Sequence, residues 1–376
     1  MKYELIAPCL FGMESTVSYE LKNMGIAVTK VTDGRVRFEG DASDIARANI
    51  GLRTAERVLI KVGEFRAASF EQLYQGMKAL PFERYVRKMD AFPISKAKSV
   101  SSKLFSIPDI QSVAKKAVVD RLKVKYRTDI FPERGTEYPI TVFLHKDVAE
   151  VTIDTSGPAL HKRGYRERSG EAPLRETIAA FMVLATPWRP SRPLMDPMCG
   201  SGTILIEAAM IGANIMPGVN RNFVGERFSF LPKDVWKSER EEALRAEKDI
   251  EFILKGYDMD AQVIELAREN AELAGVGHLI SFEQRELKDL RTEEEYGFLI
   301  TNPPYGERLN PQEGMEELYA SAREVFSKLR NWSFNIISVH EQLDRELKIP
   351  FQKKRKIYNG KLKSHYYQYL GSKPKQ

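Results

Sequence analysis

Leu194-Met195-Asp196-Pro197-Met198-Cys199-Gly200-Ser201-Gly202-Thr203 is the stretch on which the reading of this chain turns. A short strand, Pro193–Asp196, leads into it, and a helix, Ile204–Ile211, leads out. The small residues between them form a strand-to-helix turn at which the backbone can come close to a ligand. Two glycines alone fit a tight turn holding nothing equally well. The next strand, Phe252–Asp258, closes with Gly256-Tyr257-Asp258-Met259-Asp260. An acid at that tip can hydrogen-bond both ribose hydroxyls of an adenosine ligand. In dinucleotide folds that acid follows the glycines by about 20 residues. Here Asp258 lies 56 residues beyond Gly202, across an excursion at Asn214–Ile250, and the third glycine of GxGxxG is missing. Both departures argue against NAD, and there is no GxxxxGK[ST] phosphate loop. An adenosine ligand without a pyrophosphate fits better.

Further along, Leu299-Ile300-Thr301-Asn302-Pro303-Pro304-Tyr305-Gly306 closes the fourth strand of the same series, Phe298–Thr301. A Pro-Pro exit is rigid and extended, so its carbonyls are not consumed by a helical turn. The Asn302 amide oxygen and the Pro303 carbonyl can accept hydrogen bonds from one NH2 group. An exocyclic base amine is a poor nucleophile because its lone pair is delocalised into the ring. Two fixed acceptors orient that nitrogen and favour its pyramidalisation, with most of the gain coming from positioning in a dry pocket. Tyr305 offers a face on which a flipped-out base can stack.

Asp196–Thr203 (DPMCGSGT) together with Asn302–Leu309 (NPPYGERL) resembles the class I methyltransferases that act on exocyclic amines. Asp154–Glu176 (DTSGPALHKRGYRERSGEAPLRE) and the basic first half resemble the THUMP-domain RNA methyltransferases, in particular the bacterial branch that makes N2-methylguanosine in large-subunit rRNA. The resemblance spans the whole chain. It implies an α/β fold: a C-terminal Rossmann-like methyltransferase domain preceded by a ferredoxin-like plus THUMP α+β RNA-binding region. S-adenosylmethionine is the implied cofactor and structured RNA the implied partner, rRNA before tRNA. The implied cofactor set is Ala172, Pro173 and Leu174 as a frame, then Asp196, Met198, Cys199, Gly200, Ser201 and Gly202 at the methionine end. Asp258 with Met259 takes the ribose, and Glu286 stands in for the family's acid at the adenine amine. The implied catalytic set is Asn302, Pro303, Pro304 and Tyr305. An adenine-N6 DNA methyltransferase and an RNA-binding assembly factor without turnover are the rival readings.

The first half supports this organisation independently. Strands at Glu4–Ala7, Ile26–Val31, Arg35–Phe38 and Arg57–Val62 alternate with helices at Met13–Met24 and Ser43–Ile50. This βαββαβ order fits a ferredoxin-like unit over residues 1–64. A second unit, 65–156, has helices at Phe70–Ala79 and Ile110–Leu122 and strands at Ala91–Ser95, Thr141–Leu144 and Ala149–Ile153. Between Arg84 and Arg127 twelve Lys/Arg face only Asp90, Asp109 and Asp120, which points to a nucleic-acid surface including Lys115, Lys116 and Arg121. A hinge at Asp154–Pro158 leads into a third domain, 157–376. The basic residues after that hinge, His161, Lys162, Arg163 and Arg166, are expected to touch RNA phosphates. From Leu174 onward helix and strand alternate as in a parallel sheet, and strands near Phe351–Tyr358 and His365–Leu370 form a closing hairpin.

Composition narrows the class. The net charge of +6 is only mildly basic, so the position of the charge carries the argument. Two cysteines far apart, Cys9 and Cys199, with no CxxC pair or Cys/His cluster, argue against a zinc site or a disulfide framework. There is no long apolar run and no leader-like start, so a cytoplasmic location is expected. Cys199 lies in the ligand loop rather than beside the base, so packing is its expected role.

Overall fold

The computed structural model describes residues 1–166, 174–304, 313–359 and 362–374. The chain begins β1 (Tyr3–Pro8), α1 (Glu14–Asn23), β2 (Ala27–Thr32), β3 (Arg35–Gly40), α2 (Ala42–Gly51) and β4 (Leu59–Arg66). It continues α3 (Phe70–Ala79), β5 (Ile94–Val100), α4 (Ile107–Tyr126), β6 (Ile140–His145) and β7 (Val148–Asp154). The expected ferredoxin-like order is present, with strands arranged β2-β3-β1-β4. The sheet does not stop there. β4 runs two residues past the expected boundary at residue 64 and pairs antiparallel with β7 from Leu59↔Asp154 to Arg66↔Val148. The two N-terminal units therefore share one seven-stranded sheet, β2-β3-β1-β4-β7-β6-β5. A bulge between Lys61 and Gly63 breaks the alternation of β4, which is why its second half reads poorly as a strand.

Local sequence explains the helices. Asp41 caps α2, accepting from the Ser43 and Asp44 N–H groups at 2.9 and 3.1 Å, while Asp44 accepts back from the Asp41 N–H at 3.0 Å. α4 has Pro108 in its first turn and ends on Arg127 at φ +47°.

The second half comprises α5 (Glu176–Leu184), β8 (Leu194–Asp196), α6 (Thr203–Gly212), α7 (Val235–Arg245), β9 (Leu254–Asp258) and α8 (Ala261–Leu273). After these come β10 (Ile280–Gln284), β11 (Phe298–Thr301), α9 (Glu313–Lys328), β12 (Ser333–Ser338), α10 (Leu343–Leu347), β13 (Lys353–Asn359) and β14 (Leu362–Tyr369). Its sheet is β10-β9-β8-β11-β12-β14-β13, parallel except where β14 pairs antiparallel with β12 and β13. Strand order reverses at β8, so the crevice beyond the carboxyl ends of β8 and β11 is the topological switch point, where open α/β sheets bind ligands. α5 and α6 are buried on nearly all sides, in keeping with their almost wholly apolar sequences. Among the described residues no helix is long and apolar enough to cross a membrane.

The excursion at Asn214–Ile250 is the arm that fastens the two halves together. Phe228 stacks on Tyr138 at 4.6 Å between ring centroids, and Phe230 meets Tyr85 edge-on at 5.2 Å. Arg47 of α2 donates to both carboxylate oxygens of Glu239 on α7 at 2.8 and 2.9 Å. The segment expected to be a hinge is pinned instead. Thr155 and Ser156 are fully buried. The Ser156 hydroxyl donates to Asn49 Oδ1 at 2.6 Å and accepts the Val58 N–H at 2.8 Å, and the Thr155 hydroxyl donates to the Val58 carbonyl at 2.7 Å.

Candidate active site

The glycine loop is built by its backbone angles and by the neighbours that a side chain would meet. Gly200 and Gly202 both sit in the left-handed region, at φ +52° and +79°. They differ in what surrounds them. A Cβ on Gly202 would lie 2.9 Å from Phe282 Cζ and 3.2 Å from Ala267 Cβ, so this glycine seats α6 against β10 and α8. Among the described residues a Cβ on Gly200 would have nothing within 4 Å, so this glycine opens onto free space. The loop is held from below by the Cys199 N–H donating to the Tyr257 carbonyl at 2.8 Å. Asn270 Nδ2 donates to the Ser201 carbonyl at 3.1 Å. The sequence reading missed Asn270, whose only signal is a polar residue among the apolar positions Ile264, Ala267 and Ala271 of α8.

Two carboxylates flank the loop. Asp258 accepts the Gly200 N–H at 3.0 Å and the Asp260 N–H at 3.1 Å, which holds it at the tip of β9 beside the open space. Asp196, at the end of β8, is 1% exposed and accepts the Met198 N–H at 3.2 Å. Burial, reinforced by the Asp258 charge, raises its pKa to about 7. The Thr301 hydroxyl at the end of β11 pulls the other way, although it lacks a hydrogen bond of good geometry. The Cys199 thiol is buried and its pKa is held well above the ordinary value, chiefly by desolvation, which makes it unsuited to nucleophilic work.

Asn302 is half-buried at the carboxyl end of β11, adjacent to β8, and Pro303 is buried. Behind Pro303 a small apolar cavity is lined by Met198, Leu318, Tyr319, Ala322 and Phe326, among others, so the wall on that side is dry. Met259 is exposed beside Asp258, and Glu286 is exposed and paired with Lys288 at 2.5 Å. Leu174 is buried, and its carbonyl accepts from Arg166 at 3.0 Å. Ala172, Pro173 and Tyr305 lie outside the described residues. The open cradle at Gly200, rimmed by Asp258 and closed below by Asp196, suits an adenosine-type ligand carrying a positive charge.

The expected RNA contacts need correction. Arg163 is buried, not surface-exposed. It donates to Glu207 of α6 at 3.2 and 3.4 Å and to the carbonyls of Leu160 and Arg53, both at 2.5 Å. Burial of Glu207 demands that cation, so Arg163 is a strut between the halves. Arg166 is likewise committed, to Glu176 at 2.7 Å and the Leu174 carbonyl. His161 faces Glu56 at 3.4 Å, while Lys162 is exposed. In the second unit Lys115 pairs with Glu133 at 2.6 Å and Arg121 with Glu83 at 2.5 Å. Neither is a free cation. Lys116 is exposed, as are Arg84, Arg87, Lys88, Lys96, Lys98, Lys103, Lys125 and Arg127, and none of these nine has an ion-pair partner among the described residues. The basic surface survives on those residues.

Comparison with known proteins agrees with this architecture. A family described as the RMKL-like methyltransferase domain matches residues 163–368. The RlmL ferredoxin-like domain matches 4–59, and the THUMP domain matches 67–154. A Bacillus subtilis protein named "Putative RNA methyltransferase YpsC" is 43% identical over 371 residues, covering 98% of this chain and 96% of its own. A crystal structure from Listeria monocytogenes, named a predicted N6-adenine-specific DNA methylase, superposes with a TM-score of 0.93 at 44% identity, covering 99% and 97% of the two chains. SMU.472, crystallised in complex with SAH, superposes with a TM-score of 0.94 at 42% identity, covering 100% and 99%. The chain belongs to the RMKL-like methyltransferases, a family that depends on S-adenosylmethionine, and it carries their RlmL ferredoxin-like and THUMP domains.

Proposed function

We propose that this protein methylates RNA, transferring the group to the exocyclic N2 amine of a guanine, with large-subunit rRNA as the substrate and tRNA as the alternative. The observation that carries this reading is the placement of Asn302 and Pro303 at the carboxyl end of β11, beside the glycine loop of β8 and backed by an apolar wall. When bound, S-adenosylmethionine supplies an electrophilic methyl on a cationic sulfur. Gly200, Asp258 and Asp196 would hold it, with Ser201 and Gly202 completing the loop. The work of the chain at the base is positional. Asn302 Oδ1 and the Pro303 carbonyl accept the two amine N–H groups, turning the nitrogen lone pair out of the ring plane, and the apolar surround excludes water that would compete for those acceptors. Tyr305 is assigned the stacking face for the flipped base.

The basic first half favours RNA recognised by shape and phosphate contacts, through the exposed cations that remain free of partners. The DNA adenine-N6 reading, carried by the name of the Listeria neighbour, has no comparable feature behind it. Nucleoside mass spectrometry of rRNA and tRNA from cells lacking the protein tests the proposal. One N2-methylguanosine should vanish from large-subunit rRNA and return with the wild type but not with Asn302→Ala. That variant should lose about 100- to 1000-fold in kcat while keeping its affinity for SAH. Unchanged RNA, or full turnover by Asn302→Ala, would refute it.

A further inference from the structure

β13 is the outer strand of the catalytic sheet, and it carries Lys353, Lys354, Arg355 and Lys356 in succession. Its partner β14 adds Lys363. Cross-strand register sets Lys354 opposite Tyr367, Lys356 opposite His365 and Tyr358 opposite Lys363, so one face of the hairpin alternates cations with rings. The Lys354 ammonium lies 5.0 Å from the Tyr367 ring centroid and the Lys356 ammonium 5.1 Å from that of Tyr358. Lys353, Lys354, Lys356 and Lys363 are exposed. Among the described residues the one acid paired with this group is Glu341, which takes Lys363, while its backbone carbonyl accepts from Lys354 at 2.5 Å.

Register also fixes the height of this ladder. Thr301 of β11 is level with Ile336 of β12, which is level with Tyr367 of β14 and so with Lys354 of β13. β12 ends at Ser338, opposite His365. Lys356, Tyr358 and Lys363 therefore stand at and beyond the carboxyl edge of the sheet, on the same side as Asn302. Three strand spacings, about 14 Å, separate Lys356 and Tyr358 of β13 laterally from β11, and two, about 10 Å, separate Lys363 of β14. The carboxyl-edge end of the ladder, at Lys356, is also where it meets the N-terminal half. A Cβ on Gly12, which sits at φ +91°, would lie 2.7 Å from the Lys356 carbonyl oxygen, so the loop after β1 rests directly on β13.

We propose that this outer strand is a phosphate track: it carries the single-stranded RNA next to the target base up the ladder from Lys354 to the carboxyl edge of the sheet, where Lys356 adjoins both the N-terminal half and the side on which Asn302 lies. Lysine ammonium groups bind successive phosphates, and Tyr358 offers a ring to a flanking base. The inference rests on RNA being the substrate, and it adds a surface distinct from the basic residues of the second unit. Edge lysines also prevent sheets from pairing edge to edge, and the test separates the two roles.

The experiment compares wild type with Lys354→Gln/Lys356→Gln/Lys363→Gln, the three lysines of that face, and a charge-matched control, Lys22→Gln/Lys237→Gln/Lys328→Gln. The readout is fluorescence anisotropy with a labelled oligouridine of about 20 nucleotides over a salt titration. Unchanged SAH affinity certifies the folded catalytic domain. Three lost phosphate contacts should make the slope of log affinity against log salt shallower by about 2 and weaken binding at least about tenfold at low salt. The control should change less than about twofold. Equal losses in both variants, no loss in the track variant, or no oligouridine binding by wild type each overturn the track. Self-association of the track variant with unaltered RNA affinity overturns it too and assigns the lysines to edge protection. This binding test does not depend on the guanine target. Wild type that binds oligouridine yet leaves rRNA unmethylated would sink the proposed substrate and leave the track standing.

Discussion

Gly200 and Gly202 are two residues apart and share a backbone region, yet replacing each by alanine should break different things. Placing a Cβ in the left-handed region costs about 1–2 kcal/mol at either site. At Gly202 the new carbon also drives into Phe282 at 2.9 Å and Ala267 at 3.2 Å, inside a packed seam between α6, α8 and β10. Overpacking of this kind adds about 1–3 kcal/mol. Gly202→Ala should therefore lose about 2–5 kcal/mol, or about 5–15 °C in Tm for a domain of this size. Gly200→Ala meets no neighbour among the described residues and should lose only the backbone contribution, about 2–5 °C. Its effect belongs to the ligand, because the methyl occupies the space over the loop that Asp258 borders. Calorimetric SAH affinity should fall more than about tenfold for Gly200→Ala. Differential scanning calorimetry and SAH titration of both variants decide the matter. Equal Tm losses would refute the packing assignment of Gly202, and an SAH affinity within twofold of wild type would refute the cradle assigned to Gly200.

Asp196 and Arg163 give two further expectations. Asp196 has its folded pKa raised to about 7 from an ordinary value near 3.8, so the folded state binds its proton more tightly than the unfolded state. Stability is therefore lost as pH rises from about 4 to about 7, and Asp196→Asn removes that loss. Without ligand, the variant should gain on wild type by about 3 kcal/mol more at pH 8 than at pH 5 in urea denaturation, and a pH-independent difference would contradict the raised pKa. Arg163→Met strands the fully buried Glu207 and should cost about 3–5 kcal/mol, much of it recovered in Arg163→Met/Glu207→Met. A loss below about 1 kcal/mol for the single variant would return Arg163 to the surface role that its sequence suggests.

The catalytic half was legible because its signals are local. The turn glycines, the acid at a strand tip and the Asn-Pro-Pro exit each announce a strand end within a few residues, and β8, β9 and β11 end where those signals put them. The N-terminal strands were likewise legible one at a time, apart from Ala91–Ser95, which meets β5 only at Ile94 and Ser95. What the sequence hid depends on partners far away along the chain. Nothing near β4 indicates that it meets β7, about 90 residues later, so the pairing that joins the sheets of the two units is not legible in the sequence. His161-Lys162-Arg163-Gly164-Tyr165-Arg166 looks like a solvent-facing basic run because Glu56, Glu207 and Glu176, which claim three of those side chains, are not beside them in sequence. Lys115 and Arg121 were misjudged for the same reason, their acids lying 18 and 38 residues away. Charge counted along a chain overstates the charge free to meet a partner.

The pinned link at Thr155 and Ser156 has a consequence for how a target would be chosen. With both residues buried, Asn49 and Val58 holding one side, and the Gly225 N–H reaching the Thr155 carbonyl at 2.9 Å on the other, the two halves cannot swing about this point without breaking buried hydrogen bonds. Recognition surface and base pocket then behave as the fixed jaws of a caliper. On the RNA reading proposed above, a nucleotide would be accepted when its distance from a structural landmark in the RNA matches the gap between the jaws, and a correct local sequence at the wrong distance would be passed over.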